Sequence, residues 1–402
     1  MNNAVQGRGP AHQKGNFILL ALTYWLYFGQ LGVLVPYLGI FLDGRGFDSA
    51  AIGNLFAIIT LSRIVGPSLW ATLADKTGKA VQVLRLGCLL SAVCFIAIFY
   101  VTSFWGVALA FGMMMMFWTA VLPQLEVITM QAVAPTTTSY GKIRCWGSIG
   151  FIVLTVGVGW ALDSYSTETP VYVSMALLTA LFFAGLLIVQ PPLQRAHAEG
   201  RGSLWHYAAQ RPFVIFLISA TLLQISFGPY YGFFALYMRD LAYTGQQTGL
   251  LIALGVAAEV VIFLLAQRLI RRFGVWWLLM ACMLLTAFRW YALAAWAAQP
   301  EIVVVVQLIH ALSFGLAHAA SVHFIHHFLP AHYHSRGQAL YISVAFGFGG
   351  ALGNYGAGQL WDQGANAYGA FALAAAFCLA GGIALLFSRP AVMDNNATPI
   401  HE

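Results

Sequence analysis

The chain has 402 residues, 60% of them hydrophobic and only 8% charged, with a formal net charge of +6. Soluble domains carry about 25% charged residues, so this composition excludes one and calls for an all-α polytopic membrane protein. The positive balance is not a nucleic-acid signal, because the basic residues are spread along one predicted side of a membrane.

After a short polar tail (1–15), apolar runs long enough to span a bilayer fall at 16–41, 50–73, 81–102, 104–130, 141–162 and 170–190, then at 213–237, 247–267, 275–297, 302–328, 337–360 and 367–388. The first run is long and has no small-residue cleavage site, so it reads as a span and not as a removed signal peptide. Twelve spans put both termini on one side. With the termini inside, Lys76, Lys79, Lys142, Arg195, Arg201, Arg268, Arg271, Arg272 and Arg336 are among the residues of the inner loops, and only Arg45 and Arg239 fall outside. The positive-inside rule therefore predicts cytoplasmic N and C termini. The mixed-charge interval 191–212 is the expected cytoplasmic linker between a six-helix bundle at 16–190 and another at 213–388, with a cytoplasmic tail at 389–402. The 40 glycines suit closely packed membrane helices. The five cysteines, Cys88, Cys94, Cys145, Cys282 and Cys378, show no paired spacing and read as reduced packing residues.

The two halves carry an internal repeat. Gly53 and Gly249, Gly78 and Gly274, and Gly141 and Gly337 are each 196 residues apart, and each pair sits at equivalent places in the predicted topology. Two six-helix repeats predict an alternating-access transporter with its substrate site between the halves near mid-membrane.

Charge inside the apolar runs is the next signal, because a charge at membrane depth costs about 2.5–3.5 kcal/mol on insertion scales. Glu126 lies near the end of the fourth run and Arg144 near the start of the fifth, joined by a polar turn at 134–138 that contains Pro135. Folded back as a hairpin, the two charges can approach each other. Either they clip two helices together or they line a substrate path. Arg63, Glu259, Arg289 and His310 lie deep in other runs, and Arg63 and Glu259 are also 196 residues apart. Two acids against three fixed cations leave a net positive cavity, which suits an anionic solute moving with protons. Glu259, Arg289 and His310 fall on three successive spans. Burial favours a neutral carboxyl and a nearby cation favours the ionised one, so Glu259 is the expected proton carrier; the competing reading is a static ion pair. His323 and His327 have the spacing of a metal pair, but no carboxylate or thiol lies near, and the histidines from 318 to 334 read as a basic end of one span and its loop. No metal site is expected. Aromatic residues crowd the first span (Tyr24, Trp25, Tyr27, Phe28) and the seventh (Tyr230, Tyr231, Phe233, Phe234). No nucleophile–base spacing, His-Glu-x-x-His or phosphate loop occurs, so an enzyme is not expected.

Ala71-Thr72-Leu73-Ala74-Asp75-Lys76-Thr77-Gly78-Lys79 resembles the G-x-x-x-D-[RK]-x-G-[RK] loop of the major facilitator superfamily, with Ala71 in place of the first glycine. Gly78 permits the tight turn, Asp75 can cap a helix or pair with a base, and Asp75, Gly78 and Lys79 are the expected gating-loop residues. Tyr140-Gly141-Lys142-Ile143-Arg144-Cys145-Trp146-Gly147-Ser148, Tyr230-Tyr231-Gly232-Phe233, Gly255-Val256-Ala257-Ala258-Glu259, Arg289-Trp290 and Gln307-Leu308-Ile309-His310 resemble the lactose permease (oligosaccharide:proton symporter) branch, and in particular its 3-phenylpropionate permeases. The resemblance implies proton symport driven by the proton gradient, with no cofactor, in the inner (plasma) membrane. It implies a sugar-binding role for positions like Glu126 and Arg144, a ring-stacking role at Phe151, and a coupling role for Arg289 and His310. Ser313, Gly349 and Val256 stand where the sugar permease has charged coupling residues, and Glu259 lies about one turn from the last of these positions. The expected function is therefore uptake of a small organic solute, an aromatic carboxylate such as 3-phenylpropionate, with protons. Arg63, Glu126, Arg144, Phe151 and Tyr231 would meet the substrate, and Glu259, Arg289 and His310 would handle the proton. A sugar or nucleoside symporter and an efflux antiporter are the alternatives. The expected partners are the solute, protons and the lipid bilayer, with no nucleic acid, around a monomer.

Overall fold

A backbone in hydrocarbon has no water to bond to, so each segment must satisfy its own N–H and C=O groups. The computed structural model describes residues 10–134, 139–189, 203–388 and 390–394, and every regular element among them is helical. In chain order these are α1 (Pro10–Gly44), α2 (Ser49–Thr77), α3 (Ala80–Ile96), α4 (Phe104–Trp118), α5 (Val121–Val133), α6 (Tyr140–Ser164), α7 (Thr169–Leu187) and the short α8 (Trp205–Ala208). They continue with α9 (Arg211–Ser226), α10 (Gly228–Asp240), α11 (Gly245–Phe273), α12 (Val275–Trp296), α13 (Pro300–His310), α14 (Ala317–Phe328), α15 (His334–Tyr341), α16 (Gly350–Trp361), α17 (Ala367–Leu386) and α18 (Pro390–Asp394). The π-helical segments Ala311–Leu316 and Ile342–Gly349 join α13 to α14 and α15 to α16. Among the described residues, ten helical stretches are long and apolar enough to cross a membrane. The other two expected spans are also helical, in α2 and across α15–α16. The predicted linker, both tails and the 134–138 turn lie largely outside the described residues.

Local chemistry sets the ends. The Ser103 hydroxyl accepts from the Gly106 N–H to open α4, and Thr244 with Gln247 forms a reciprocal capping box on α11. Gly78 (φ +66°) and Gly274 (φ +78°) take left-handed conformations where α2 and α11 stop, so this pair of the repeat is visible in the backbone. Gly141 and Gly337 do not share a role: a Cβ at Gly141 would meet open space, whereas at Gly337 it would strike Leu329. All five cysteines are free; Cys88, Cys282 and Cys378 are buried, but Cys145 is exposed and so is not a packing residue.

The helices gather into two compact units. The first comprises Met1–Leu34, Val65–Leu154 and Pro170–Ala196. Within it the Trp70 indole donates to the Met116 carbonyl at 2.9 Å. The Arg85 guanidinium donates to the carbonyls of Gly185, Leu186 and Ile188 at 3.1, 2.8 and 2.8 Å. It thus satisfies the orphan carbonyls where α7 ends and opposes the negative end of its dipole. Arg85→Ala is expected to cost about 2 kcal/mol or more, read as a lower melting temperature of the purified protein and faster amide exchange around 185–188. An unchanged melting temperature would refute this role.

The second unit comprises Val35–Ile64, Thr155–Thr169 and His197–Glu402. Its core is aromatic: Trp290 donates to the Ser226 hydroxyl at 2.9 Å, and Trp361 stacks on Phe233 at 4.8 Å. At one end the tips of α1, α2 and α6 are joined to α10, α11 and α16. The Asp163 carboxylate accepts from the N–H groups of Gly245 (2.5 Å) and Gln246 (2.9 Å), capping α11. The start of α2 is held in parallel fashion, with the Ser49 N–H and hydroxyl both donating to Gln363 Oε1. Ser49 and Gly245 are again 196 residues apart. Beside these caps the backbones nearly touch. A Cβ on Gly53 would lie 2.6 Å from the Gly358 Cα, and one on Gly249 would lie 2.8 Å from the Thr155 carbonyl. Asp43 and Arg239 close the same end with an ion pair at 2.7 Å.

Candidate functional site

In the first unit, α5 carries Glu126 and the first turns of α6 carry Tyr140, Arg144 and Gly147, spaced to share one face. The Tyr140 hydroxyl donates to Glu126 Oε1 at 3.2 Å. The Arg144 guanidinium carbon lies 3.8 Å from the Phe28 ring centroid and 5.6 Å from that of Tyr24, both on α1. The ion pairs among the described residues are Arg45–Glu168, Arg239–Asp43 and Arg239–Asp240. Glu126 and Arg144 therefore do not form the direct clip that their spacing allows. The arginine is held by ring faces, a cation–π arrangement that leaves its N–H groups available, and the carboxylate is held by a phenol. Gly147 makes the stack possible: a Cβ there would come within 2.6 Å of Phe28 and 2.9 Å of Arg144 Nη1. Phe151, half-buried, follows two turns after Arg144 on the same helix face.

In the second unit, Arg289 of α12 is fully buried. Its Nε donates to the Val306 carbonyl at 2.9 Å and its Nη2 to Gln307 Oε1 at 3.2 Å. The guanidinium carbon lies 4.1 Å from the Trp290 ring centroid and 4.5 Å from that of Tyr230, while Nη1 has no protein partner. His310 ends α13 directly before the π-helical turn. Its ring stacks on Phe314 at 5.8 Å and lies 5.5 Å from Tyr230. Glu259 of α11 packs beside Gly315 of that turn, where a Cβ would come within 2.9 Å of its Cγ, and Glu259 Oε1 is buried without a partner. A π turn at this point matters, since such distortions concentrate at functional positions. Tyr231 stacks on Phe227 at 5.4 Å. Arg289 and His310 are thus buried around Tyr230, and the half-buried Glu259 lies beside the π-helical turn that follows His310.

Arg63 and Asp75 lie in α2, and their side chains fall outside the described set; Gly78 forms the expected turn and Lys79 precedes α3, exposed. Among the described residues no three His, Cys, Asp or Glu side chains are grouped to hold a metal. Sequence reasoning missed Tyr140 as the partner of Glu126, Gln307 as the partner of Arg289, and the space that Gly147 leaves. For Tyr140 a signal existed: it stands four residues before Arg144, on the same helix face.

With this geometry in hand, known proteins place the chain. Residues 17–373 match the model of the MFS_1 like family. The chain is 30% identical over 392 residues to a probable 3-phenylpropionic acid transporter of Escherichia coli, covering 94% of this chain and 98% of that one. It is also 30% identical over 348 residues to a maltose permease of Geobacillus stearothermophilus, covering 85% and 86%. Among solved structures, the nucleoside transporter NupG aligns with a TM-score of 0.80 at 18% identity, covering 92% of this chain and 98% of that one. A bacterial homologue of the lysosomal transporter Spinster aligns with a TM-score of 0.74 at 13% identity, covering 98% and 100%. Helices of membrane-crossing length, a family match over most of the sequence and relatives that are permeases converge: the chain is a multi-pass membrane transporter, not an enzyme, and belongs to the MFS_1 like family of the major facilitator superfamily.

Proposed function

We propose that the protein takes up a small aromatic carboxylate together with protons by alternating access, with twelve spans in the inner membrane and both termini cytoplasmic. The observation that carries this reading is Arg144: a half-buried guanidinium set on ring faces, with no carboxylate of the described residues paired to it. A guanidinium in that setting binds a carboxylate through parallel hydrogen bonds, and the neighbouring rings accept the aromatic body. Glu126, turned to Tyr140, keeps a negative charge near enough to orient the arginine without neutralising it by contact. Phe151, on the same face of α6, completes the proposed substrate contacts of the first unit, and Tyr231 is the proposed substrate residue of the second. Glu259 takes the proton, with Arg289 and His310 setting the balance between its charged and neutral forms, and the proton gradient is the only energy source. The seam of capped helices and close glycines at one end of the second unit is the gate that parts in each cycle. The name of the Escherichia coli relative supports the aromatic acid. The names of the maltose and nucleoside relatives favour a neutral polyhydroxylated solute as the second reading.

The test is the pH outside lightly buffered, de-energised cells that express the protein. 3-Phenylpropionate is expected to cause alkalinisation that a β-galactoside or a nucleoside does not. A response to the neutral solutes alone would replace the carboxylate reading with the second one. Acidification would replace symport with antiport.

A further inference from the structure

The first unit contains buried polar groups that the proposed function does not use. Gln30 of α1 is 1% exposed, and neither its Oε1 nor its Nε2 makes a hydrogen bond with any described residue. Trp118, at the end of α4, is 2% exposed, and its indole Nε1 is likewise without a partner. The two belong to one neighbourhood. Tyr24, Tyr27 and Gln30 follow one another at three-residue intervals along a face of α1. The Tyr27 ring lies flat on the Trp118 indole, with centroids 4.1 Å apart and planes at 4°. Tyr27 also meets the Phe28 ring edge-on at 5.2 Å, and Phe28 carries the Arg144 guanidinium. A continuous run of rings therefore connects Arg144 to Trp118, and Gln30 stands three residues beyond Tyr27 on α1.

Buried polar groups without partners are costly, and native structures seldom leave them so. A carrier that binds a polar solute has a reason to keep them: the solute supplies the missing partner. The donor and acceptor pattern narrows what it is. Indole N–H only donates, whereas a carboxamide both donates and accepts. A hydroxyl both accepts from Trp118 and exchanges bonds in both directions with Gln30, and is the smallest group that does so. A carboxylate cannot donate to Gln30, and an ammonium cannot accept from Trp118.

We infer that Gln30 and Trp118 form a subsite that reads a hydroxyl on the transported solute, at the end away from the carboxylate held by Arg144. The inference deepens the proposed function and rests on it for the carboxylate. The preferred solutes are hydroxylated aromatic acids, with the plain acid a poorer member of the class. A site built to bond a hydroxyl rejects the analogue that lacks one, because its own groups are then left unpaired.

The experiment measures binding of 3-phenylpropionate and 3-(4-hydroxyphenyl)propionate to the purified full-length protein by calorimetry, beside melting temperature. The wild type should bind the hydroxylated acid about tenfold more tightly or better. Gln30→Leu and Trp118→Phe should each bring the ratio toward parity by lowering the affinity for the hydroxylated acid, and Gln30→Leu should keep or raise the melting temperature. Three results would overturn the inference: equal wild-type affinities, a ratio that survives both substitutions, or a melting temperature lowered by Gln30→Leu, which would show the amide paired within the fold or by a fixed water. If neither acid binds, the carboxylate reading fails separately. The subsite is then judged on methyl β-galactoside, whose affinity both substitutions must lower if the hydroxyl subsite exists and must leave unchanged if it does not.

Discussion

Arg144→Ala is expected to lower 3-phenylpropionate uptake by about 100-fold or more, the scale on which a buried charge pair fails when one member is removed. Thermal stability should change far less, because among the described residues the guanidinium is held by ring faces, worth about 0.5–2 kcal/mol, and by no ion pair. This split between transport and stability distinguishes a ligand-binding arginine from a helix clip, whose loss would strand Glu126 and cost both. Arg144→Lys should recover only part of the rate: the charge returns, but an ammonium neither lies flat on Phe28 nor grips a carboxylate with two parallel bonds. Initial uptake rates in membrane vesicles, with melting temperatures of the same variants, check both statements. Normal transport by Arg144→Ala would remove the residue from the substrate site.

Glu259→Gln is expected to abolish uphill accumulation while leaving exchange of labelled for unlabelled solute intact. The substitution keeps the shape of a side chain packed against Gly315 and removes its proton-binding capacity. A carrier with no titratable group at that position can still turn with solute bound, but it cannot tie that movement to a proton. Stability should hold or rise slightly, since Oε1 has no protein partner to lose. Accumulation driven by an imposed pH gradient, measured beside counterflow in the same proteoliposomes, reads the two functions separately. Accumulation that survives the substitution would transfer the proton to another group and refute the assignment. Loss of exchange as well would make Glu259 a substrate or structural residue.

The helices were legible because hydrocarbon leaves the backbone few choices, and long apolar runs state that constraint directly. The turn at Gly78 and its copy at Gly274 were legible because positive φ is a local property of glycine. The interruptions were not: the break between α4 and α5, the break at Phe227 and the π turns after His310 and Tyr341 depend on what packs against each helix. For the same reason a common offset did not give Gly141 and Gly337 a common role. Within the candidate site, spacing brought Glu126 and Arg144 to one neighbourhood, and three adjacent spans brought Arg289 and His310 around Tyr230 and Glu259 beside the turn that follows His310. Side-chain orientation was beyond it. Whether Arg144 points at Glu126 or lies on Phe28 is decided by the gap that Gly147 leaves, and a glycine in a run rich in glycines carries no mark of that duty. The compact units do not follow chain order either, because the tips of α1, α2 and α6 pack with elements far along the sequence.

The Asp43–Arg239 contact bears on how such a chain came to be. Its members are 196 residues apart, the interval that separates the repeated glycines. In a duplicated gene, two positions at that interval descend from one codon, so an ancestor made of two identical chains would have set a side chain against its own copy. Two aspartates or two arginines at 2.7 Å would repel; one of each attracts. Opposite charge at this place is available only to a chain whose halves have become different. It favours the covalently joined pair over assembly of either half with itself, by the ~0–1 kcal/mol of a partly exposed ion pair.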